Sequence, residues 1–261
     1  MELGEKTTNT ALITGCSSGY GLETARTFLA RGWRVIATMR TPKEGLFPPS
    51  ERLRVLPLDV TRPESVAAVV EVCGAIDALV NNAGIGLFGA FEATPAATIR
   101  EIFETNTFGA MAVTQALLPR LRERGSAVVV NVTSSATLAP MPLVAVYTAS
   151  KAAIEGFTAS LGHELAPFGV RVKLVEPGYG PTTRFASNSG ARLEGLIPAT
   201  YASYARDVLA AYGQPTAVTS ERDVAEAVWR AANDTSQRLR FPAGPDAEAL
   251  YAARSERRAV L

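Results

Sequence analysis

The segment Thr14-Gly15-Cys16-Ser17-Ser18-Gly19-Tyr20-Gly21 carries the first chemistry legible in the chain. Its glycines are spaced GxxxGxG. Glycine permits a tight turn and lets backbone N–H groups approach a pyrophosphate. A helix starting there turns its positive end toward the same anion. An ordinary glycine-rich turn is the plainer alternative. Position argues against it, because the loop follows the first apolar run and opens the first helical pattern. About 20 residues past such a loop, an NAD site places a carboxylate against the ribose 2′-hydroxyl. This chain has Thr38-Met39-Arg40 there and no acid before Glu44. A guanidinium pairs with a 2′-phosphate. Arg40, with the hydroxyls of Ser17 and Ser18, therefore points to NADP(H), against the alternative of a solvated surface arginine.

Other reactive types are sparse. Two cysteines, Cys16 and Cys73, make no disulfide framework and read as packing residues in a reducing compartment. A single histidine, His163, excludes a histidine-rich metal site. Basic and acidic side chains number 26 and 25, so the net charge of +1 offers no field for nucleic acid or an anionic membrane. The longest apolar run is five residues, too short to span a bilayer, and the start MELGEKTTNT has no signal core. A soluble, cytoplasmic protein is expected.

The elements that must position these groups alternate along the chain. Short apolar runs at Thr10–Thr14, Trp33–Met39, Leu53–Leu58, Ile76–Val80, Ser126–Val132 and Val170–Val175 read as strands. Between them, helical spacing runs over Gly19–Arg31, from Pro63 to Cys73, from Pro95 to about Arg124, and over Val146–Pro167. The strands are continuously apolar, as when helices cover both faces of a parallel sheet. The expected fold is α/β: a single Rossmann-type, doubly wound parallel sheet in one domain spanning 1–261. Gly178–Ser220 breaks the rhythm and is expected to be a lid inserted before the last helix–strand unit. Ser220, with Asp223 three residues on, predicts an N-cap for a helix over Glu221–Asn233. The basic tail ARSERRAV reads as a solvated end.

Seven motifs in register resemble the short-chain dehydrogenase/reductase family. They are TGCSSGYG at 14–21, LDV at 58–60, NNAG at 81–84, Asn106, NVTSS at 131–135, YTASK at 147–151 and EPGYGPT at 176–182. Within the family, TGCSSG, VIATMR and VEPGY look most like the NADP-preferring hydroxysteroid- and retinol-dehydrogenase-like members. The resemblance implies that Tyr147 transfers a proton, that Lys151 supports it and bonds the nicotinamide ribose, that Ser134 bonds the substrate oxygen, and that Asn106 holds a water in a proton relay. Lys151 lies four residues past Tyr147 on one helix face, where an ammonium is expected to lower the phenol pKa. His163 falls on the far side of that helix.

The family pattern also implies cofactor contacts. They involve the loop residues Gly15, Ser17, Ser18, Gly19, Tyr20 and Gly21, with Asp59 and Val60 near the adenine and Asn82, Ala83 and Gly84 near its ribose. Pro177, Gly178 and Thr182, with Thr183 the competing choice, would lie by the nicotinamide. Gly180-Pro181 departs from the commoner bulky residues, leaving that choice open. In the lid, Phe185, Leu193, Leu196, Ile197, Tyr201 and Tyr204 suggest a cover for a hydrophobic substrate, or packing of the segment onto the body, with Pro140 to Leu143 as the opposite wall. The expected function is NADP-dependent hydride transfer between nicotinamide and a secondary alcohol or ketone. The expected assembly is a homodimer or homotetramer. Two alternatives stay open. One is a 3-oxoacyl-carrier-protein reductase, for which Arg184, Arg192 and Arg206 would supply basic contacts. The other is a non-catalytic NADP-binding sensor.

Overall fold

The computed structural model describes residues 8–183 and 195–259. The apolar runs become strands β1 (Thr10–Ile13), β2 (Arg34–Met39), β3 (Leu53–Pro57), β4 (Ala78–Asn81), β5 (Val128–Val132), β6 (Arg171–Pro177) and β7 (Arg240–Ala243). They form one sheet in the order β3-β2-β1-β4-β5-β6-β7, and every neighbouring pair is parallel. The chain runs outward from β1 to β3, then returns to place β4 on the other side of β1. That reversal opens a crevice at the carboxyl ends of β1 and β4, where ligands bind in open α/β sheets.

The helices are α1 (Gly19–Ala30), α2 (Pro63–Cys73), α3 (Ala96–Phe103), α4 (Gly109–Arg124), α5 (Ala145–Leu165), α6 (Ala202–Tyr212), α7 (Glu221–Asn233) and α8 (Pro245–Ala259). On one face, α1 and α7 bury Ala25, Phe28, Val224 and Val228 against the sheet. Phe28, Trp33 and Trp229 meet there edge to face, with ring centroids 5.0–5.7 Å apart. On the other face, Val66, Val69, Leu117, Leu121, Leu161 and Leu165 of α2, α4 and α5 form the second core. Burial of both faces explains why β4 and β5 carry no exposed residue.

The fold differs from the sequence expectation in one place. The helical pattern from Pro95 to Arg124 is not one helix: α3 and α4 are separated by a π-helical turn, Glu104–Phe108. The basic tail continues α8 as far as Ala259, and Arg254 donates to the Thr137 carbonyl at 3.2 Å. In the 178–220 segment, α6 is tied down at both ends. The Tyr201 hydroxyl reaches Glu92 at 3.0 Å, the Tyr212 hydroxyl reaches the Pro142 carbonyl at 3.1 Å, and the Ala90 N–H reaches the Leu196 carbonyl at 2.9 Å. Arg184, Phe185, Arg192 and Leu193 lie outside the described residues. The capping box on α7 forms as the spacing predicts, joining Ser220 and Asp223 in both directions.

Candidate active site

The site is built at the carboxyl ends of β1, β4, β5 and β6, around a cavity of about 840 Å³. Thr14, the residue after β1, is its hub. Its hydroxyl oxygen accepts from the N–H groups of Asn82 and Ala83 at 3.0 and 2.9 Å, and its carbonyl accepts from the Asn82 side chain at 2.9 Å. This locks the NNAG turn onto the glycine loop. Gly15 has a φ of +75°, and a Cβ there would lie 2.9 Å from the Ala83 Cα. A Cβ on Gly21 would overlap the Asn82 side chain and the Gly15 carbonyl. These two glycines are therefore needed by close approach, and Gly15 by its backbone as well.

The loop delivers the start of α1 to the cavity. Ser18 occupies the N-cap, yet its side chain makes no capping bond, and the first turn carries no acid. Unsatisfied N–H groups with no competing carboxylate suit a phosphate. Arg40, just past β2, and Asp59, just past β3, line the same cavity. Burial works to raise the Asp59 carboxyl. Hydrogen bonds from Thr61 and the charges of Arg40 and Arg62 outweigh it, so the group sits below its ordinary value. Val60 is buried against Gly109. Cys16, by contrast, is fully buried, its thiol pushed up to about 12 and donating to the Ile13 carbonyl. It is a packing residue, not a nucleophile.

Ser134, Tyr147 and Lys151 converge on the cavity from the end of β5 and from α5. The Ser134 hydroxyl is hydrogen-bonded to the Tyr147 phenol. Lys151 Nζ lies 6.0 Å from the Tyr147 ring centroid and donates to the Val132 carbonyl at 3.0 Å. Here the electrostatics depart from expectation. Burial pushes the Tyr147 phenol up to about 12, with the Ser134 bond opposing, and burial pulls the Lys151 ammonium down to about 8. Desolvation thus dominates both groups. Tyr147 is a protonated phenol at neutral pH, a group able to donate.

Asn106 does not line the cavity. It sits in the π turn with its side chain committed. Its oxygen accepts from the Ile85 N–H at 2.8 Å, and its amide donates to the Ile85 carbonyl at 2.9 Å and to Ser150 at 3.1 Å. It clamps the segment after Gly84, where a Cβ would lie 3.2 Å from Asn106 and 3.3 Å from Lys151 Nζ. His163 is exposed, away from the site.

In the Pro177–Thr183 turn the two threonines face different ways, and Thr182 is not in the cavity lining. Its hydroxyl faces Glu221, at 3.0 Å, outside the cavity. Thr183 is buried in the cavity wall, and its hydroxyl donates to the Gly180 carbonyl at 2.8 Å. The turn is held by a residue that local sequence did not single out. Asp246, in the first turn of α8, accepts from the Tyr179 N–H and from the Thr219 hydroxyl, both at 2.6 Å. Its one local signal is an acid just past Gly244-Pro245, where a helix starts.

Part of the cavity wall is apolar. Phe88 meets Tyr212 edge to face with centroids 5.6 Å apart, and Tyr179 stacks on Tyr212 at 6.3 Å. Met141, Val144 and Leu209 complete that side. Sequence reasoning named Met141 but not the aromatic trio, whose members come from three distant segments.

A family model described as short chain dehydrogenase matches residues 9–192. The uncharacterized oxidoreductase YusZ of Bacillus subtilis is 36% identical over 251 residues, covering 90% of this chain and 88% of its own. Retinol dehydrogenase 8 of Bos taurus is 39% identical over 216 residues, covering 76% of this chain and 69% of its own. A short-chain dehydrogenase from Streptomyces avermitilis superposes with a TM-score of 0.80 at 32% identity, over 98% of this chain and 94% of that one. A short-chain dehydrogenase from Burkholderia cenocepacia in complex with NADP superposes with a TM-score of 0.76 at 26% identity, over 97% and 95%. With these relatives, the parallel seven-stranded sheet and the motifs gathered at its carboxyl edge, the chain belongs to the short-chain dehydrogenase/reductase family of oxidoreductases.

Proposed function

We propose that the protein is an NADP-dependent oxidoreductase acting on a secondary alcohol or ketone, with an apolar substrate. The observation that carries this reading is one cavity shared by the open start of α1, Arg40, and the Ser134–Tyr147–Lys151 group. When bound, the nicotinamide supplies or accepts a hydride. The chain's own residues do the rest. The glycine loop and α1 bind the phosphates, and Arg40 pairs with a 2′-phosphate. Lys151 orients the nicotinamide ribose. Ser134 steadies the substrate oxygen as charge develops. Tyr147, protonated at neutral pH, donates its phenolic proton to that oxygen during reduction and recovers it during oxidation. Asn106 keeps the Ile85 segment in place for the relay.

Phe88, Tyr179 and Tyr212 favour a bulky lipophilic ketone or alcohol, in keeping with the name of the retinol dehydrogenase relative. The 178–220 segment is read as the cover of this chamber within a single domain. The protein is read as a cytoplasmic homodimer or homotetramer. Among the described residues, no helix is long and apolar enough to cross a membrane.

The test is NADPH oxidation over a panel of steroid, retinoid, acyl-thioester and aryl ketones. Turnover is expected with the lipophilic ketones. Tyr147→Phe should lower kcat at least about 100-fold with NADPH affinity retained. Persistent turnover in that variant overturns the mechanism. Arg40→Asp should weaken NADPH binding about tenfold or more, the scale of a lost charge-assisted bond, and improve relative use of NADH. An unchanged preference removes the case for NADP.

A further inference from the structure

Tyr20 lies on the cavity wall where the glycine loop faces the Pro177–Thr183 turn. Across from it, Gly180 has no room for a side chain. A Cβ there would overlap the Tyr20 hydroxyl and lie 3.0 Å from its Cζ and 3.2 Å from Thr183 Cγ2. The backbone does not explain this glycine, because Gly180 is not among the residues of positive φ. The glycine answers to the phenol.

The turn cannot simply back away. The Tyr179 N–H is bonded to Asp246 at 2.6 Å, the Tyr179 carbonyl accepts from the Thr219 N–H at 2.8 Å, and Thr183 closes on the Gly180 carbonyl. On the loop side, Tyr20 is carried by the first turn of α1, and its ring packs partly on the sheet core. Its side chain lines the cavity. Burial first, then the nearby Tyr147 phenol and the carboxylates of Glu221, Asp246 and Asp223, push its ionisation upward, so it stays a neutral donor.

We propose that Tyr20 and Gly180 act as one steric unit, in which the phenol of the glycine loop, not a side chain of the turn, walls the cavity between the phosphate cradle and Tyr147. Tyr20 is thereby a positioning residue for the nicotinamide half of the cofactor, a role of its side chain separate from the backbone contacts of the loop. This rests on reading the cavity as a dinucleotide site. Residues 20 and 180 then tolerate changes of size together and not singly.

The test is a double-mutant cycle on NADPH affinity, by fluorescence titration, with melting temperatures measured without cofactor. The four proteins are the wild type, Gly180→Ala, Tyr20→Leu and the double variant. Overpacking at residue 180 should weaken NADPH binding at least about fivefold in the wild-type background. In the Tyr20→Leu background, where the overlap is relieved, the same change should cost less than about twofold. An equal cost in both backgrounds, or none in the wild type, overturns the pairing. If Gly180→Ala does not fold, the double variant must; a double variant that also fails overturns it. Tyr20→Leu should shrink the NADPH-induced rise in melting temperature more than it lowers the melting temperature itself. The reverse pattern marks Tyr20 as a packing residue and overturns its positioning role. If the wild type binds no NADPH, the dinucleotide reading fails, while the steric pairing still stands or falls on the four melting temperatures.

Discussion

Two helices lie together on one face of the sheet and begin in opposite ways. At α7, Ser220 caps the helix, Asp223 completes the capping box, and Glu221 and Asp223 place negative charge in the first turn. At α1, Ser18 holds the same position and makes no capping bond, the first turn has no acid, and glycines surround it. The first helix start is satisfied by its own sequence. The second is left unsatisfied where a cavity meets it, at a forgone stabilisation of about 0.5–2 kcal/mol. A helix end can serve the fold or a ligand, and the local residues reveal which.

Each substitution below tests that contrast. The largest effect is expected from Gly21→Ala, whose Cβ would overlap the Gly15 carbonyl and the Asn82 side chain. NADPH affinity should fall at least about 100-fold, or the cofactor-free melting temperature should drop sharply, because the loop must open to admit the methyl. Retention of both would mean that the loop is not held shut. Ser18→Asp gives α1 the cap it lacks. Stability without cofactor should rise by about 0.5–1 kcal/mol, while NADPH affinity falls about tenfold because a carboxylate competes with the phosphate. A stability gain with no loss of affinity would end the distinction between the two starts. Ser220→Ala should cost about 1 kcal/mol in chemical denaturation and leave NADPH affinity unchanged.

Much of this architecture was legible in the residues, for physical reasons. β4 and β5 are buried on both faces, so their apolar runs stand out whatever surrounds them. Gly15 is fixed by its own torsion angle and by contact with the next loop, and such glycines keep a recognisable spacing. The capping box of α7 joins Ser220 and Asp223, three apart in the chain, and so is written locally. What escaped was long-range. Asp246 holds the Tyr179 turn from 67 residues away, and no local pattern ties the two. Phe88, Tyr179 and Tyr212 meet only after the fold brings their segments together. Adjacent threonines are equivalent to a motif, and the direction each one faces separates Thr183 from Thr182. The raised phenol of Tyr147 was missed because its spacing to Lys151 is local, whereas its burial belongs to the whole site.

The π turn at Glu104–Phe108 also fixes the rotational phase of the chain around it. In a regular helix each residue advances the facing direction by about 100°. The wide turn inserts a residue without carrying that advance forward, so α3 turns Ile102 inward while α4 turns Leu117 and Leu121 inward, each in its own frame. Removing any one residue from the turn would restore a single frame and rotate one of the two helices out of register with its core. The segment therefore behaves like a splice between two helical frames: it tolerates exchange of side chains more readily than any change in length.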